Sequence, residues 1–213
     1  MAYLWSTALP TALLAAALAA QTGTKPAAPA APAARPAAAT SPAAASTYGI
    51  DSVHSSAMFR VQHLGAGQFW GRFNDVSGTF TGGTPAADGV SFDITVKVES
   101  VDTRTKKLDD HLRSPDFFNA ADHPTMTFKS TGCKAGKNGM LEVTGNFTML
   151  GVTKPITANV EFTGAKAGQM GERAGYEATL TIKRSEWGMK YGVDNGMLGD
   201  DVRIVVNLEG VKK

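Results

Sequence analysis

Four histidines, His54, His63, His111 and His123, stand among the carboxylates Asp51, Asp109, Asp110 and Asp122, so the first chemistry to test is a metal site or an acid–base centre. The spacing supports neither. His54 and His63 are nine residues apart and fall on opposite faces of an ideal strand. No His-Glu-x-x-His or paired Cys-x-x-Cys motif is present, and no metal is expected. Asp109-Asp110-His111 offers acid–base groups, but adjacent residues on a helix point in different directions and no Ser or Cys nucleophile elbow accompanies them. A solvated helix start accounts for that run. Gly65-Ala66-Gly67 lacks the rest of a dinucleotide fingerprint and precedes a strand, where that motif should open a helix. Asn146-Phe147-Thr148 fits a glycosylation sequon but sits inside a strand, and is read as chance. Cys133 is the single cysteine, cannot form an internal disulfide, and reads as a partly buried small hydrophobe. No catalytic residue and no cofactor are expected, and a binding protein is favoured over an enzyme.

Charge removes another class. The formal net charge is +2, from 21 Lys+Arg against 19 Asp+Glu, and both excess cations, Lys25 and Arg35, precede residue 48. The remainder is balanced and carries no basic cluster, so it lacks the electrostatic footprint of nucleic-acid binding. Residues 1–20 read as a signal peptide. An apolar run from Trp5 to Ala20 ends in Ala17-Leu18-Ala19, the small-x-small pattern of a cleavage site, although no Lys or Arg precedes it. Pro10 and a length below the roughly 20 residues of a spanning helix argue against a membrane span, with an uncleaved N-terminal anchor as the rival reading. Residues 21–47, almost wholly Ala, Pro, Thr and Ser, read as an extended, disordered linker.

From Tyr48 to Lys213 the pattern is period-two alternation. Phe92, Ile94, Val96 and Val98 alternate with Asp93, Thr95, Lys97 and Glu99; comparable runs occupy 141–149, 156–162, 176–182 and 202–208. With strands near 52–62, 68–80 and 125–133 this makes eight, each with one dry face and one wet face. An all-β, eight-stranded antiparallel barrel satisfies them all and leaves no exposed edge; a two-sheet sandwich is the alternative. The apolar phase shifts between Phe73 and Val76, which predicts a bulge near Asn74-Asp75. Patterning stops at 103–124, where 106–112 predicts a short helix. Ser114-Pro115 predicts a second helical start with Phe117-Phe118 as its buried face. This excursion, at about 105–120, could lie across one mouth of the barrel.

Several motifs resemble one family. Tyr48-Gly49-Ile50-Asp51-Ser52-Val53-His54-Ser55, Phe59-Arg60-Val61-Gln62-His63-Leu64-Gly65, His111-Leu112-Arg113-Ser114-Pro115-Asp116-Phe117-Phe118, Gly151-Val152-Thr153-Lys154-Pro155 and Leu198-Gly199-Asp200-Asp201-Val202 look like YceI-like proteins, in the right order across 48–213. The resemblance implies a lipocalin-like barrel, exported to the bacterial periplasm, that sequesters or carries a polyisoprenoid lipid such as an isoprenoid quinone or a prenyl pyrophosphate. The ligand comes from the resemblance; alternation alone favours a packed core, as in a barrel that serves only as an interaction module. Contact with a membrane surface or an envelope protein would suit such a protein, and an envelope enzyme acting on a prenyl head group is the alternative function.

If the interior holds a lipid tail, the apolar faces supply its lining. The first strands give Phe59, Val61, Phe69, Phe73 and Phe80; the next give Phe92, Ile94, Val96 and Phe128; and the last give Phe147, Ile156, Val160, Leu180 and Val206. A polar head at the mouth would need partners, for which Arg72, His111, Arg113, Arg184 and Lys190 are the candidates, Arg72 being out of phase with its lining neighbours. Trp70 by phase belongs to the outer surface, and Trp187 to outer packing or tail contact.

Overall fold

The structure, a computed structural model, describes residues 45–213. The signal-peptide reading and nearly all of the linker reading lie outside the described residues. The alternating segments form eleven strands: β1 Ser46–Ile50, β2 Ser56–His63, β3 Gly67–Phe73, β4 Val76–Gly82, β5 Ser91–Lys97, β6 Val101–Asp102, β7 Thr125–Ala135, β8 Leu141–Met149, β9 Val152–Gly168, β10 Gly171–Lys183 and β11 Leu198–Lys212. Strand β1 therefore takes in Ser46 and Thr47, the last two residues assigned to the linker.

All pairings are antiparallel, and a ring of eight strands closes in the order β1-β4-β5-β7-β8-β9-β10-β11, with β11 returning to β1. The other three strands continue staves already in the ring. β2 follows β1 along β11, β3 runs into β4, and β6 prolongs β5. Each stave thus neighbours the next in sequence, and the β11–β1 seam leaves that end of the sheet without an open edge.

The breaks have physical causes. At Asn74-Asp75 the ladder is interrupted: Asn74 N–H donates to the Ser100 carbonyl (3.2 Å), and Lys97 N–H to the Asp75 carbonyl (3.0 Å). Inward residues change phase there, with Phe73 and Val76 both buried, which is the bulge that the sequence pattern requires. Between β1 and β2 the chain turns at 51–55, so the first stave begins earlier than 52 and is split.

One end of the barrel is a packed floor. Tyr48 stacks on Phe80 at 5.0 Å, and Tyr176 meets Phe80, Phe92 and Phe162 at 5.3 Å each. Aromatic pairs in such offset and edge-on arrangements add to simple burial. The Tyr48 hydroxyl donates to Glu172 Oε1 at 2.8 Å, and burial, with that carboxylate, pushes its pKa up to about 12. The Tyr176 hydroxyl donates to the Thr84 carbonyl and accepts from Gly83 N–H, both at 3.0 Å, which fastens the β4–β5 connection beneath the floor.

The opposite end is roofed by irregular backbone. Helix α1 (Lys106–Arg113) lies in the connection before β7. Asp109 Oδ1 accepts from Thr103 N–H (2.7 Å) and Thr103 Oγ1 (2.6 Å) at its start. The predicted second helix is a turn: Phe117 N–H bonds to the Ser114 carbonyl at 3.1 Å, while Ser114 Oγ donates back to the His111 carbonyl at 2.7 Å and accepts from Asp116 N–H at 3.4 Å, so the serine both closes α1 and opens the turn that follows. Phe117 and Phe118 are nonetheless buried under it.

Candidate functional site

Between floor and roof lies a cavity of about 170 Å³, lined almost wholly by apolar side chains. Eight strands set a barrel radius at which side chains either meet or leave room for one ligand, and here they leave room. Glycine helps at two places on the wall. The Phe59 ring lies over Gly71 and the Phe128 ring over Gly145, each where a Cβ would collide with it. The rings thus lie flat against the wall.

Twelve of the expected lining residues face this space. They are Phe59, Val61 and Phe73 from the β2–β3 pair, Phe92, Ile94, Val96 and Phe128 from β5 and β7, and Phe147, Ile156, Val160, Leu180 and Val206 from the remaining wall. Phe69 and Phe80 do not. β6 covers β3 only at Arg72 and Phe73, so Phe69 lies on the uncovered part of β3 near the hairpin end, away from the lumen. Phe80 is below the cavity, held in the floor by Tyr48 and Tyr176. The alternation missed the roof, whose apolar cover is Leu112, Phe117 and Phe118 from one connection, Met189 from the other, and Leu198 at the start of β11. Phe117-Phe118 carried a signal as a buried pair; Met189 is in a segment with no period to read.

The head-group candidates separate. Arg72 is on the outer wall, paired to Asp102 at 3.1 Å, and does not reach the cavity. Arg113 is structural: its guanidinium donates to the Glu99 and Val101 carbonyls at 3.0 and 3.1 Å and ties α1 to the β5–β6 stave. Lys190 is exposed and in no ion pair among the described residues. His111 sits on the roof, its Nε2 2.9 Å from Asp116 Oδ2, its ring edge-on to Phe117 (5.0 Å) and Tyr191 (5.2 Å), so it helps clasp the two roof connections together.

Arg184 alone among the five lines the cavity. It follows β10, is 3% exposed, and donates to three carbonyls: Nε to Gly199 (2.9 Å), one terminal nitrogen to Met189 (3.3 Å) and the other to Tyr191 (2.8 Å). Burial lowers its pKa. Among the described residues no carboxylate bonds to it; nearby Asp200 is taken by Ser185, whose N–H and hydroxyl donate to it at 2.9 and 2.8 Å. A guanidinium carries five donors, so Arg184 keeps donor capacity at the roof end of an otherwise apolar lumen.

Asp51, His54 and Glu209 do come together, at the β1–β2 break. Arg173 already occupies that group, bonding Asp51 at 2.8 Å and Glu209 at 2.5 Å, and it holds the Asp51 carboxyl well below the usual carboxylate range. Cys133 is half-buried and burial raises its thiol pKa, which keeps it unreactive. Trp70 is on the outside, as its phase requires, whereas Trp187 is buried, its ring 5.6 Å from Phe147.

Comparison with known proteins agrees with this geometry. Residues 48–210 match the model of the YceI-like domain. The chain belongs to the YceI-like family. It is 41% identical over 177 residues to "Protein YceI" of Escherichia coli O157:H7, covering 80% of this chain and 90% of that protein. Among solved structures it superposes on BcnA of Burkholderia cenocepacia with a TM-score of 0.67 at 24% identity, covering 75% of this chain and 98% of the other. A polyisoprenoid binding domain from Saccharophagus degradans superposes with a TM-score of 0.59 at 15% identity, over 78% and 98% of the two chains. At those identities the two structures support the closed antiparallel barrel as the fold of this YceI-like chain.

Proposed function

We propose that this YceI-like protein is a lipid carrier that takes one polyisoprenoid chain into its barrel, tail toward the floor and polar end toward the roof. The observation that carries the reading is the cavity itself. Protein interiors pack as densely as organic crystals, and apolar space left empty costs roughly 24 cal/mol per Å³; a lumen this apolar suits an apolar occupant. A linear, branched hydrocarbon fits a barrel that is narrow, sealed at one end and lined by aliphatic and aromatic groups. Each buried CH₂ contributes about 0.8 kcal/mol. That a structural neighbour is a polyisoprenoid binding domain supports the same ligand class, and an isoprenoid quinone or a prenyl pyrophosphate would satisfy both tail and head. The apolar N-terminal run ending in Ala17-Leu18-Ala19 supports export to the periplasm, where such a chain must be shielded from water. No catalytic step is included: Asp109 is bonded to Thr103 and His111 to Asp116, so the acid–base candidates serve the roof.

Native mass spectrometry of protein purified from its own envelope without detergent tests this reading. A bound apolar molecule of polyprenyl mass is expected, together with thermal protection by added polyprenyl lipid. Ala178→Trp, which places an indole in the lumen, should lower that affinity roughly tenfold or more while the far-ultraviolet spectrum is kept. Protein that carries no such molecule and gains no protection would end the proposal.

A further inference from the structure

The outer wall beside the roof holds two cations that the cavity does not use. Arg60 on β2 and Arg203 on β11 are directly opposite in register. Phe59, Val61, Val202 and Ile204 face the lumen, so both arginines project outward on one face. Like charges opposed across a ladder disfavour each other. Neighbouring cations on this wall have carboxylates, Arg72 with Asp102 and Lys183 with Asp201, but neither Arg60 nor Arg203 has an ion pair among the described residues. Residues 1–47 contain no Asp or Glu that could supply one. Arg60 Nε is a buried nitrogen without a hydrogen-bond partner. Trp70, opposite Arg60 on the other side, is 46% exposed, with the guanidinium 5.9 Å from its ring centroid. At the tip of the β2–β3 turn Leu64 is 63% exposed, and its N–H is bonded to the Met197 carbonyl at 2.8 Å, which fixes the tip to the roof connection one residue before the cavity-lining Leu198.

We infer that this stripe, running from Arg203 and Arg60 through Trp70 to Leu64, docks the roof end of the barrel on an anionic lipid surface. Two unpaired guanidiniums attract acidic lipid, at about 1 kcal/mol per charge near a membrane. An indole beside them suits the headgroup level, and an exposed leucine at the turn tip suits the acyl boundary. An acidic protein would complement the arginines but gives no reason for the leucine tip. The docked end is also the end by which a chain would enter, since the floor is sealed. The inference stands on the wall and not on the cavity's contents, so it can fail while the carrier reading survives.

The test uses full-length protein carrying Trp5→Phe, which leaves Trp70 and the buried Trp187 as its indoles. Quenching by brominated phospholipid is read in vesicles of phosphatidylcholine with phosphatidylglycerol and of phosphatidylcholine alone. Trp70 emission is expected to be quenched by the anionic vesicles, with relief in high salt. Arg60→Gln with Arg203→Gln should weaken this roughly thirtyfold, the loss of two surface charges, while Arg60→Lys with Arg203→Lys should retain it. Lys137→Gln with Lys166→Gln, at the floor end, should change nothing. Equal quenching by both vesicles, no quenching by either, or equal loss in the floor-end variant would overturn the inference. Binding to an acidic protein without vesicle quenching would overturn it too.

Discussion

Replacing Tyr176 with phenylalanine removes one oxygen from the floor and leaves its ring packing untouched. The ring is fully buried against Phe80, Phe92 and Phe162, and phenylalanine keeps those contacts. What is lost are two hydrogen bonds of 3.0 Å, one to the Thr84 carbonyl and one from Gly83 N–H. A neutral bond contributes about 1 kcal/mol net, and a wholly buried orphan would cost up to about 3. Gly83 and Thr84 are only half-buried, so water can reach the freed groups and the loss should stay at about 1–2 kcal/mol. For a domain of this size that lowers the melting temperature by roughly 2–8 °C. Urea unfolding should show the same loss as a lower midpoint with an unchanged slope. Affinity for an apolar chain should not change, because the hydroxyl is turned toward the β4–β5 connection. A midpoint equal to that of the parent protein would refute the view that this hydroxyl ties the floor. A loss of ligand without a loss of stability would mean that the oxygen faces the lumen.

Other perturbations probe the remaining parts. Gly71→Ala should drive the Phe59 ring off the wall into the lumen, costing about 1–3 kcal/mol by overpacking and shortening the longest polyprenyl chain that protects against heat; an unaltered length series would contradict the wall geometry. Arg184→Met should free the carbonyls of Met189, Tyr191 and Gly199, seen as faster amide exchange across 185–198 with little change in the floor strands. Tyr48 has its pKa raised from 10.0 to about 12, so its contribution is complete below pH 10 and is lost as pH climbs from there toward 12; thermal melts across that range should show the decline, and Tyr48→Phe should flatten it. Asp51 is shifted the other way, from 3.8 downward, chiefly by Arg173. Its contribution is present above that value and fades as pH falls below it; Arg173→Met, which lets the Asp51 pKa return toward its ordinary value, should lower stability at neutral pH and shrink the loss on acidification.

The strands were legible because closing a barrel asks one thing of every stave, an apolar inner face, and period two states that directly. Even the break at Asn74-Asp75 could be read, since moving the dry face from Phe73 to Val76 requires an irregular residue between them. The helix at 106–113 was legible through its interrupted alternation. Ser114-Pro115 reads as a helix start, yet only a turn follows: the hydroxyl accepts from Asp116 N–H as an opening serine does and also bonds back to His111, closing the helix behind it. Phe80 and Phe69 share the phase of the lining residues yet miss the lumen, because alternation gives the side of a strand and not the height along it. Arg184 was one of five candidate cations, and its environment is made by Gly199, Met189 and Tyr191, which meet it only when the connection before β11 folds back.

The same limit explains why a hollow interior cannot be distinguished from a packed one by pattern. Both require apolar residues at every inward position; what differs is whether opposing side chains meet across the axis, and that depends on how the rings tilt. In this barrel the tilt is set by two glycines. Gly71 lets Phe59, and Gly145 lets Phe128, lie against the wall instead of crossing it. At the floor the reverse holds. Gly210 gives Phe80 and Tyr48 space to stack across the barrel and seal it. Inward glycines opposite aromatics thus open one end and close the other, and placing methyl groups there tests both halves. Gly210→Ala should disrupt the floor and destabilise the fold, while Gly145→Ala should press on Phe128 and, at 2.6 Å, on the Lys129 carbonyl, narrowing the lumen that a chain would occupy.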